Sequence, residues 1–219
     1  MYIKMKHLLI IGARGFGREV YNYALESIGY GVDFDVKGFL DDKADALDGF
    51  DGYPAIISSV ENYEIQHDDV FICALGDVKW KKYYAQMISD KGGEFISIIS
   101  KEALVGRNCK IGKGCIISPT ARMNCDVTIG DFVTLQPWTL LGHDVVVGDW
   151  CHINVFADCG GGSYIENEVA IHTHTFILPK LHVGHNSVIG AGSIILRNVE
   201  PNVTMFGNPA KVVPLPRKD

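Results

Sequence analysis

No stretch of this 219-residue sequence approaches 18 consecutive apolar residues, so a membrane-spanning helix is not expected. No charged-then-apolar leader with a cleavage site is visible either. Lysine and arginine, 20 in all, are outnumbered by 26 aspartates and glutamates, and no basic run occurs. The formal charge of −6 lacks the electrostatic footprint of a nucleic-acid binder. The expectation is a soluble, cytoplasmic chain with neither nucleic acid nor membrane among its partners. C-x-x-C pairs are missing too: Cys73, Cys109, Cys115, Cys125, Cys151 and Cys159 stand apart. They are expected to be inert core thiols in a reducing compartment, because a free cysteine packs as a small hydrophobe. Apolar residues make up 47%, enough for a substantial core, and the length allows one large or two small domains.

What the sequence has in abundance is one beat. From Ile99 through Val105, Ile111 and Ile117 to Ile195, every sixth residue is apolar or Cys, at seventeen successive positions. Four residues after each anchor comes a second small or apolar residue, from Ala103 to Val199. Glycine directly follows eight of the seventeen anchors, as at Gly106, Gly130, Gly148 and Gly190, easing a turn. A helix needs apolar spacing near 3.6 and a strand needs 2, so a strict six fits neither. It fits a chain that turns a corner every six residues, the hexapeptide form of a parallel β-helix. With three faces per coil, each coil takes about 18 residues, and the run makes roughly five and a half coils. No rung buries its apolar row alone, so the rungs stack on a shared core.

Before the beat the pattern alternates. The segment HLLIIGARGFG (His7–Gly17) joins an apolar run to a glycine loop, and Arg18 to Ile28 reads as a helix with Val20, Tyr21, Ala24, Leu25 and Ile28 inward. Strand, glycine loop and helix open a nucleotide-binding βαβ unit. The spacing of Gly12, Gly15 and Gly17 is G-x-x-G-x-G, however, which also suits a tight turn that holds no ligand. Val36 to Leu40 is a second strand, ending in Asp41-Asp42. A carboxylate there can bind a ribose or sugar hydroxyl, or be a solvated loop residue. Asp68 to Gly76 is a buried strand, Val78 to Lys91 a helix with Trp80, Tyr83, Tyr84, Met87 and Ile88 inward, and Glu94 to Ile99 a last strand. The alternation implies a small parallel sheet with helices on its faces. Gly12 to Gly17, Asp41-Asp42 and Gly76-Asp77 all fall at the carboxyl ends of strands, where such sheets bind ligands.

Six of the eight histidines lie in the β-helix, and none falls on the inward row: His143, His152, His172, His174, His182 and His185. His143 is followed by Asp144. A histidine near neutral pKa can take a proton from an attacking amine or hydroxyl. Neighbouring side chains on a strand point to opposite faces, so this pair can cooperate only at a bend. The other reading of the dipeptide is a surface turn.

The whole chain resembles the bacterial sugar acetyltransferases with an N-terminal Rossmann-like domain and hexapeptide repeats. These include enzymes that N-acetylate nucleotide-linked amino sugars and the sialic acid O-acetyltransferases. IIGARGFG, FLDD, ALGD, LLGHDVVVGDWCHI, VIGAGS and FGNPAKVV carry the likeness, in the right order and nearly end to end. The resemblance implies an α/β Rossmann-like domain over residues 1–97, then an all-β left-handed parallel β-helix over 98–219 with a C-terminal tail. It implies acetyl-CoA as co-substrate and no metal. His143 matches the family's catalytic base and Asp144 the acidic residue that raises its basicity, a slot that holds Glu in some members. His152 matches a histidine at the thioester end of acetyl-CoA. Thr173 and Ala191 match positions whose backbone holds the pantetheine arm. Gly161 joins this cofactor set, as do Gly207, Asn208, Pro209 and Lys211 of the GNPAK tail, near the CoA nucleotide. Gly12, Arg14, Gly15, Phe16, Asp41, Asp42 and Gly76 match the pocket for the nucleotide or sugar. Members that bind uridine sugars tend to have small and histidine residues where this chain has Arg14 and Phe16. Arg14 suits a diphosphate or carboxylate, and Phe16 suits stacking on a base or closing the pocket. His172-x-His174 also differs from many members.

Two acetyl acceptors are therefore in view: an amino group of a nucleotide-linked sugar first, and a hydroxyl of sialic acid or a related sugar second. A homotrimer is expected, with acetyl-CoA in the groove between two β-helices, and the outward Trp138, Trp150 and Phe156 are too apolar for a comfortable monomer. Two other readings compete. A metal hydratase like the γ-type carbonic anhydrases would use three histidines on zinc, but those enzymes lack the first domain and the GNPAK tail. A non-catalytic sensor on a trimeric scaffold would have no need of His143-Asp144.

Overall fold

Short β-branched and aromatic runs in the first hundred residues pair as one parallel sheet. The structure, a computed structural model, describes residues 5–214. It divides into two units: the chain up to Lys101 together with Lys113–Cys115, and Glu102–Gly112 together with the chain from Ile116.

In the first unit, β1 (Lys6–Ile11), β2 (Phe34–Leu40), β3 (Ile56–Ser58), β4 (Asp69–Cys73) and β5 (Glu94–Phe95) form a sheet of order β3-β2-β1-β4-β5. All four pairings are parallel. The central strands are covered on both faces, so Leu8–Ile11 and Val70–Cys73 read as unbroken apolar runs and are at most 1% exposed. One polar knot lies among them. The buried carboxylate of Asp69 accepts from Lys37 Nζ, the Tyr63 hydroxyl and Gln66 N–H, each at 2.7 Å.

Helix α1 is Gly15–Leu25 and α2 is Val78–Asp90. Both correct the sequence expectation. Helix α1 starts earlier than Arg18 and buries Gly17, Val20 and Ala24; it stops before Ile28, which is 62% exposed. Helix α2 buries Lys81, Ala85 and Ile88, whereas Trp80 and Tyr83 are exposed and Tyr84 and Met87 half-buried. The expected strand Glu94 to Ile99 is two, Glu94–Phe95 and Ile98–Ile99. The edge strand β3 carried no expectation; three residues are too few to show a period.

The second unit is a left-handed parallel β-helix. Two-residue strands recur every six residues from Leu104–Val105 to Ile194–Ile195. Each strand up to Phe176–Ile177 pairs with the strand 18 residues on, as in Arg122↔Leu140↔Asp158↔Phe176↔Ile194, so three sheets run along the coils. The anchors from Ile117 to Ile195 are at most 2% exposed. Val105, 42% exposed, and the half-buried Ile99 and Ile111 are the exceptions, because the first coil has a neighbour on one side only. The third residue after each anchor from Val105 to Ile189 turns the corner. Twelve non-glycine residues from Asn108 to Asn186 do so with φ of 55–63°, and Gly114, Gly162 and Gly192 fill the remaining slots of the series. A left-handed residue is costly on its own, and here the corner N–H is repaid by the carbonyl 19 residues earlier. Asp144 N–H to Cys125 O is 3.1 Å and Glu168 N–H to Asp149 O is 2.8 Å.

Thiols and outer aromatics partly depart from expectation. Cys73, Cys115, Cys151 and Cys159 are buried, but Cys109 is half-buried and Cys125 exposed. Burial pushes the Cys73 thiol up to about 12. Trp138 and Phe156 are exposed as expected, but Trp150 is half-buried, stacked on Phe132 at 4.0 Å between centroids. After Pro201 the beat gives way to a hairpin, Thr204–Gly207 against Ala210–Val212. Among the described residues no helix is long and apolar enough to cross a membrane.

Candidate active site

The hexad places His143 one residue before a corner and Asp144 on it, with φ of 59°. The left-handed turn swings the two side chains to the same side. His143 Nδ1 lies 2.7 Å from Asp144 Oδ2, and both side chains are about two-thirds exposed. With Nδ1 engaged, Nε2 is the ring nitrogen left for chemistry. One coil on, the matching position is Gly161. A Cβ built there would stand 2.6 Å from His143 Nε2, so glycine keeps that nitrogen's flank clear. The two positions are also tied by Gly162 N–H to His143 O, 2.7 Å.

The other residues implied for acetyl-CoA are spread along the coils. His152 is half-buried on the strand His152–Ile153, in register with Thr134 and Ala170. Thr173 and Ala191 occupy the position before a corner, as His143 does. The Thr173 carbonyl takes Gly192 N–H at 2.9 Å, whereas among the described residues the N–H groups of Thr173 and Ala191 have no partner. The ladder therefore leaves both N–H groups unpaired at the surface. Gly207 to Lys211 form the tip of the C-terminal hairpin, with Asn208, Pro209 and Lys211 exposed and Gly207 N–H on Ser193 Oγ at 3.1 Å. Among the described residues, no group of three or more His, Cys, Asp or Glu side chains is placed to hold a metal ion.

In the first unit a cavity of about 550 Å³ opens at the carboxyl ends of β1, β2 and β4. Gly12, Arg14, Phe16, Asp41, Asp42 and Gly76 line it, and Gly15 does not. The glycine loop is shaped by close packing: a Cβ at Gly17 would stand 2.0 Å from Gly12 O, and Gly12 has φ of +96°. Asp41 accepts Ala13 N–H at 2.8 Å and Lys43 N–H at 2.9 Å, binding the glycine loop to the end of β2. The sequence reading missed Lys43, Trp80 and Tyr84 as wall residues. Asp42 accepts from the Tyr84 hydroxyl. Burial, then the hydrogen bond to Asp42, pushes that hydroxyl well above its usual pKa, so it remains a donor.

Comparison with known proteins bears on both units. Residues 7–88 match the PglD N-terminal domain family. The acetyltransferase domain of PglB from Neisseria gonorrhoeae FA1090 superposes with a TM-score of 0.86 at 25% identity, over 95% of this chain and 100% of that one. The chain resembles a hexapeptide-repeat sugar acetyltransferase along 95% of its length. A mutant of GDP-perosamine N-acetyl transferase from Caulobacter crescentus, solved with CoA and GDP-perosamine, shares the fold, with a TM-score of 0.85 at 21% identity over 96% of this chain and 98% of that one. Galactoside O-acetyltransferase of Escherichia coli (strain K12) is 47% identical over 49 residues, 22% of this chain and 24% of that enzyme. A putative acetyltransferase of Staphylococcus aureus (strain Mu50) is 31% identical over 115 residues, 52% of this chain and 53% of that protein. The chain thus spans about a quarter of the length of the first curated relative and about half of the second.

Proposed function

We propose that this protein transfers an acetyl group from acetyl-CoA to an amino group of a nucleotide-linked sugar, with His143 as general base. The observation that carries the reading is the His143 ring, held at Nδ1 by Asp144 and clear at Nε2 over Gly161. Asp144 accepts the Nδ1 proton and so keeps the tautomer whose Nε2 carries a lone pair. His143 Nε2 takes a proton from the acceptor amine as the amine nitrogen bonds to the thioester carbonyl carbon. The C–S bond then breaks, and the departing CoA thiolate recovers the proton from the imidazolium. His152 or backbone N–H groups stabilise the oxyanion. No covalent enzyme intermediate is needed.

Thr173 and Ala191 offer their N–H groups to the pantetheine arm, and Gly207 to Lys211 lie near the CoA nucleotide. The first unit is Rossmann-like, and its cavity takes the nucleotide handle: Arg14 pairs with phosphate. Support comes from strand order β3-β2-β1-β4-β5 with a glycine loop after β1, and from structural neighbours that include a GDP-perosamine N-acetyl transferase. The enzyme works as a homotrimer in the reducing cytoplasm, a setting that suits six free thiols.

Thiol release from acetyl-CoA, followed with a chromogenic reagent, tests the reading across UDP-, dTDP- and GDP-amino sugars and free sialic acid. Release with one nucleotide amino sugar is the expected result. Release with sialic acid alone would move the reaction to O-acetylation, which the likeness to a galactoside O-acetyltransferase supports. Silence across the panel, with no binding of acetyl-CoA, would end the acetyltransferase reading.

A further inference from the structure

Asp41 and Asp42 stand side by side at the end of β2, yet the fold gives them different work. Both oxygens of Asp41 take backbone N–H groups, from Ala13 and Lys43, so its carboxylate is a brace for the glycine loop. Asp42 gives one oxygen to the Tyr84 hydroxyl, and among the described residues its other oxygen has no partner. Tyr84 is thereby fixed in the cavity wall. Trp80 lies one helical turn before it on α2, and its ring stacks on that of Tyr84 with centroids 6.1 Å apart and planes at 29°. Trp80 is 51% exposed and borders the cavity. On the same wall, Arg14 and Lys43 are cations.

These groups sort by the chemistry they recognise. An aromatic face stacks on any nucleobase, because every base presents a π surface. Arg and Lys pair with phosphate oxygens. A carboxylate only accepts, so the spare Asp42 oxygen reads an N–H or O–H donor. A cavity of this size falls within the range of small-molecule sites, roughly 300–1,000 Å³. We infer that Trp80 is the stacking platform for the base of a nucleoside diphosphate, with Tyr84 holding the platform and Asp42 accepting from the base or ribose beside it. Asp41 is a positioning residue. The inference rests on the reading of this cavity as the pocket for the acceptor's nucleotide handle.

Calorimetry on the full chain with UDP, dTDP and GDP, and with inorganic pyrophosphate as a ligand without a base, tests it. At least one nucleoside diphosphate is expected to bind. Trp80→Ala should weaken that binding tenfold or more, Trp80→Phe should restore most of it, and pyrophosphate should bind all three proteins alike. The bound nucleotide should also quench tryptophan fluorescence in the wild type and not in Trp80→Phe. That readout stands even if the alanine variant folds poorly. Equal nucleotide affinity in Trp80→Ala, or a quench that survives in Trp80→Phe, would overturn the platform. Failure of every nucleoside diphosphate to bind would overturn it too, and acetylation of a free amino sugar would then still leave the transferase reading standing. Conversely, Trp80-dependent nucleotide binding without acetyl transfer to any sugar would sink the transferase reading and leave this one intact.

Discussion

Two neighbours set the surroundings of His143, Asp144 at Nδ1 and Gly161, which has no side chain, beside Nε2. Removing the ring in His143→Ala should lower kcat on the order of 10²-fold or more, the low end for a general base. Near-full turnover would remove His143 from the mechanism. Asp144→Asn keeps the shape and removes the carboxylate that lies 2.7 Å from His143 Nδ1. It should lower kcat, by less than His143→Ala does; wild-type kcat in this variant would confine Asp144 to the turn. Gly161→Ala is the third residue-scale test. Its Cβ would stand 2.6 Å from Nε2, and the ring is free to swing away because it lies at the surface. Activity should fall at least tenfold with little change in melting temperature. Wild-type kinetics in this variant would show that the space over Gly161 is not where the reaction occurs.

The elements differ in how much of them the sequence makes legible. The β-helix is legible to the residue because its period is set by covalent geometry and repeated in every coil. Even the bend that unites His143 and Asp144 follows from their distance to the anchor Leu141. Helix α2 is a counter-example. Its period groups Trp80, Tyr84 and Ile88 on one stripe, but periodicity does not say whether a stripe meets a core or a cavity. Tyrosine and tryptophan suit either, having an apolar body and a polar tip. The period therefore places these aromatics in the core, whereas Trp80 and Tyr84 line the cavity. Asp41 is a similar case: the motif marks a carboxylate at the strand tip, but only the fold shows both oxygens spent on backbone. The knot at Asp69 was not visible at all, since Lys37, Tyr63 and Asp69 share no local pattern. Burial raises the Asp69 pKa, but the bonds from Lys37, Gln66 and Tyr63 outweigh it and leave the carboxyl below its usual range. Its contribution is thus complete above pH about 4 and is lost as pH falls through the depressed folded value. Asp69→Asn should cost roughly 3 kcal/mol at pH 7, the low end for breaking a buried pair, because Lys37 still reaches solvent. The gap in urea midpoint between wild type and variant should narrow below pH 4; a gap independent of pH would assign the cost to packing.

At the scale of the whole molecule, the outer surface of the β-helix carries Leu104, Trp138, Phe156 and Tyr164, each 47% exposed or more. Trp138, Phe156 and His174 are stacked in a column with planes within 13° of one another along each step. Apolar surface of this kind marks an association face. Light scattering should find a trimer of about 72 kDa, three chains of 24.1 kDa. A stable monomer would contradict a site shared between two β-helices. The most direct test of the central claim compares wild type and His143→Ala for thiol release with the accepted nucleotide amino sugar, while acetyl-CoA binding is measured by calorimetry on both. The expected result is unchanged acetyl-CoA affinity with thiol release reduced on the order of 10²-fold or more. Equal release by the two proteins would show that the His143 imidazole is not the base that the reaction uses.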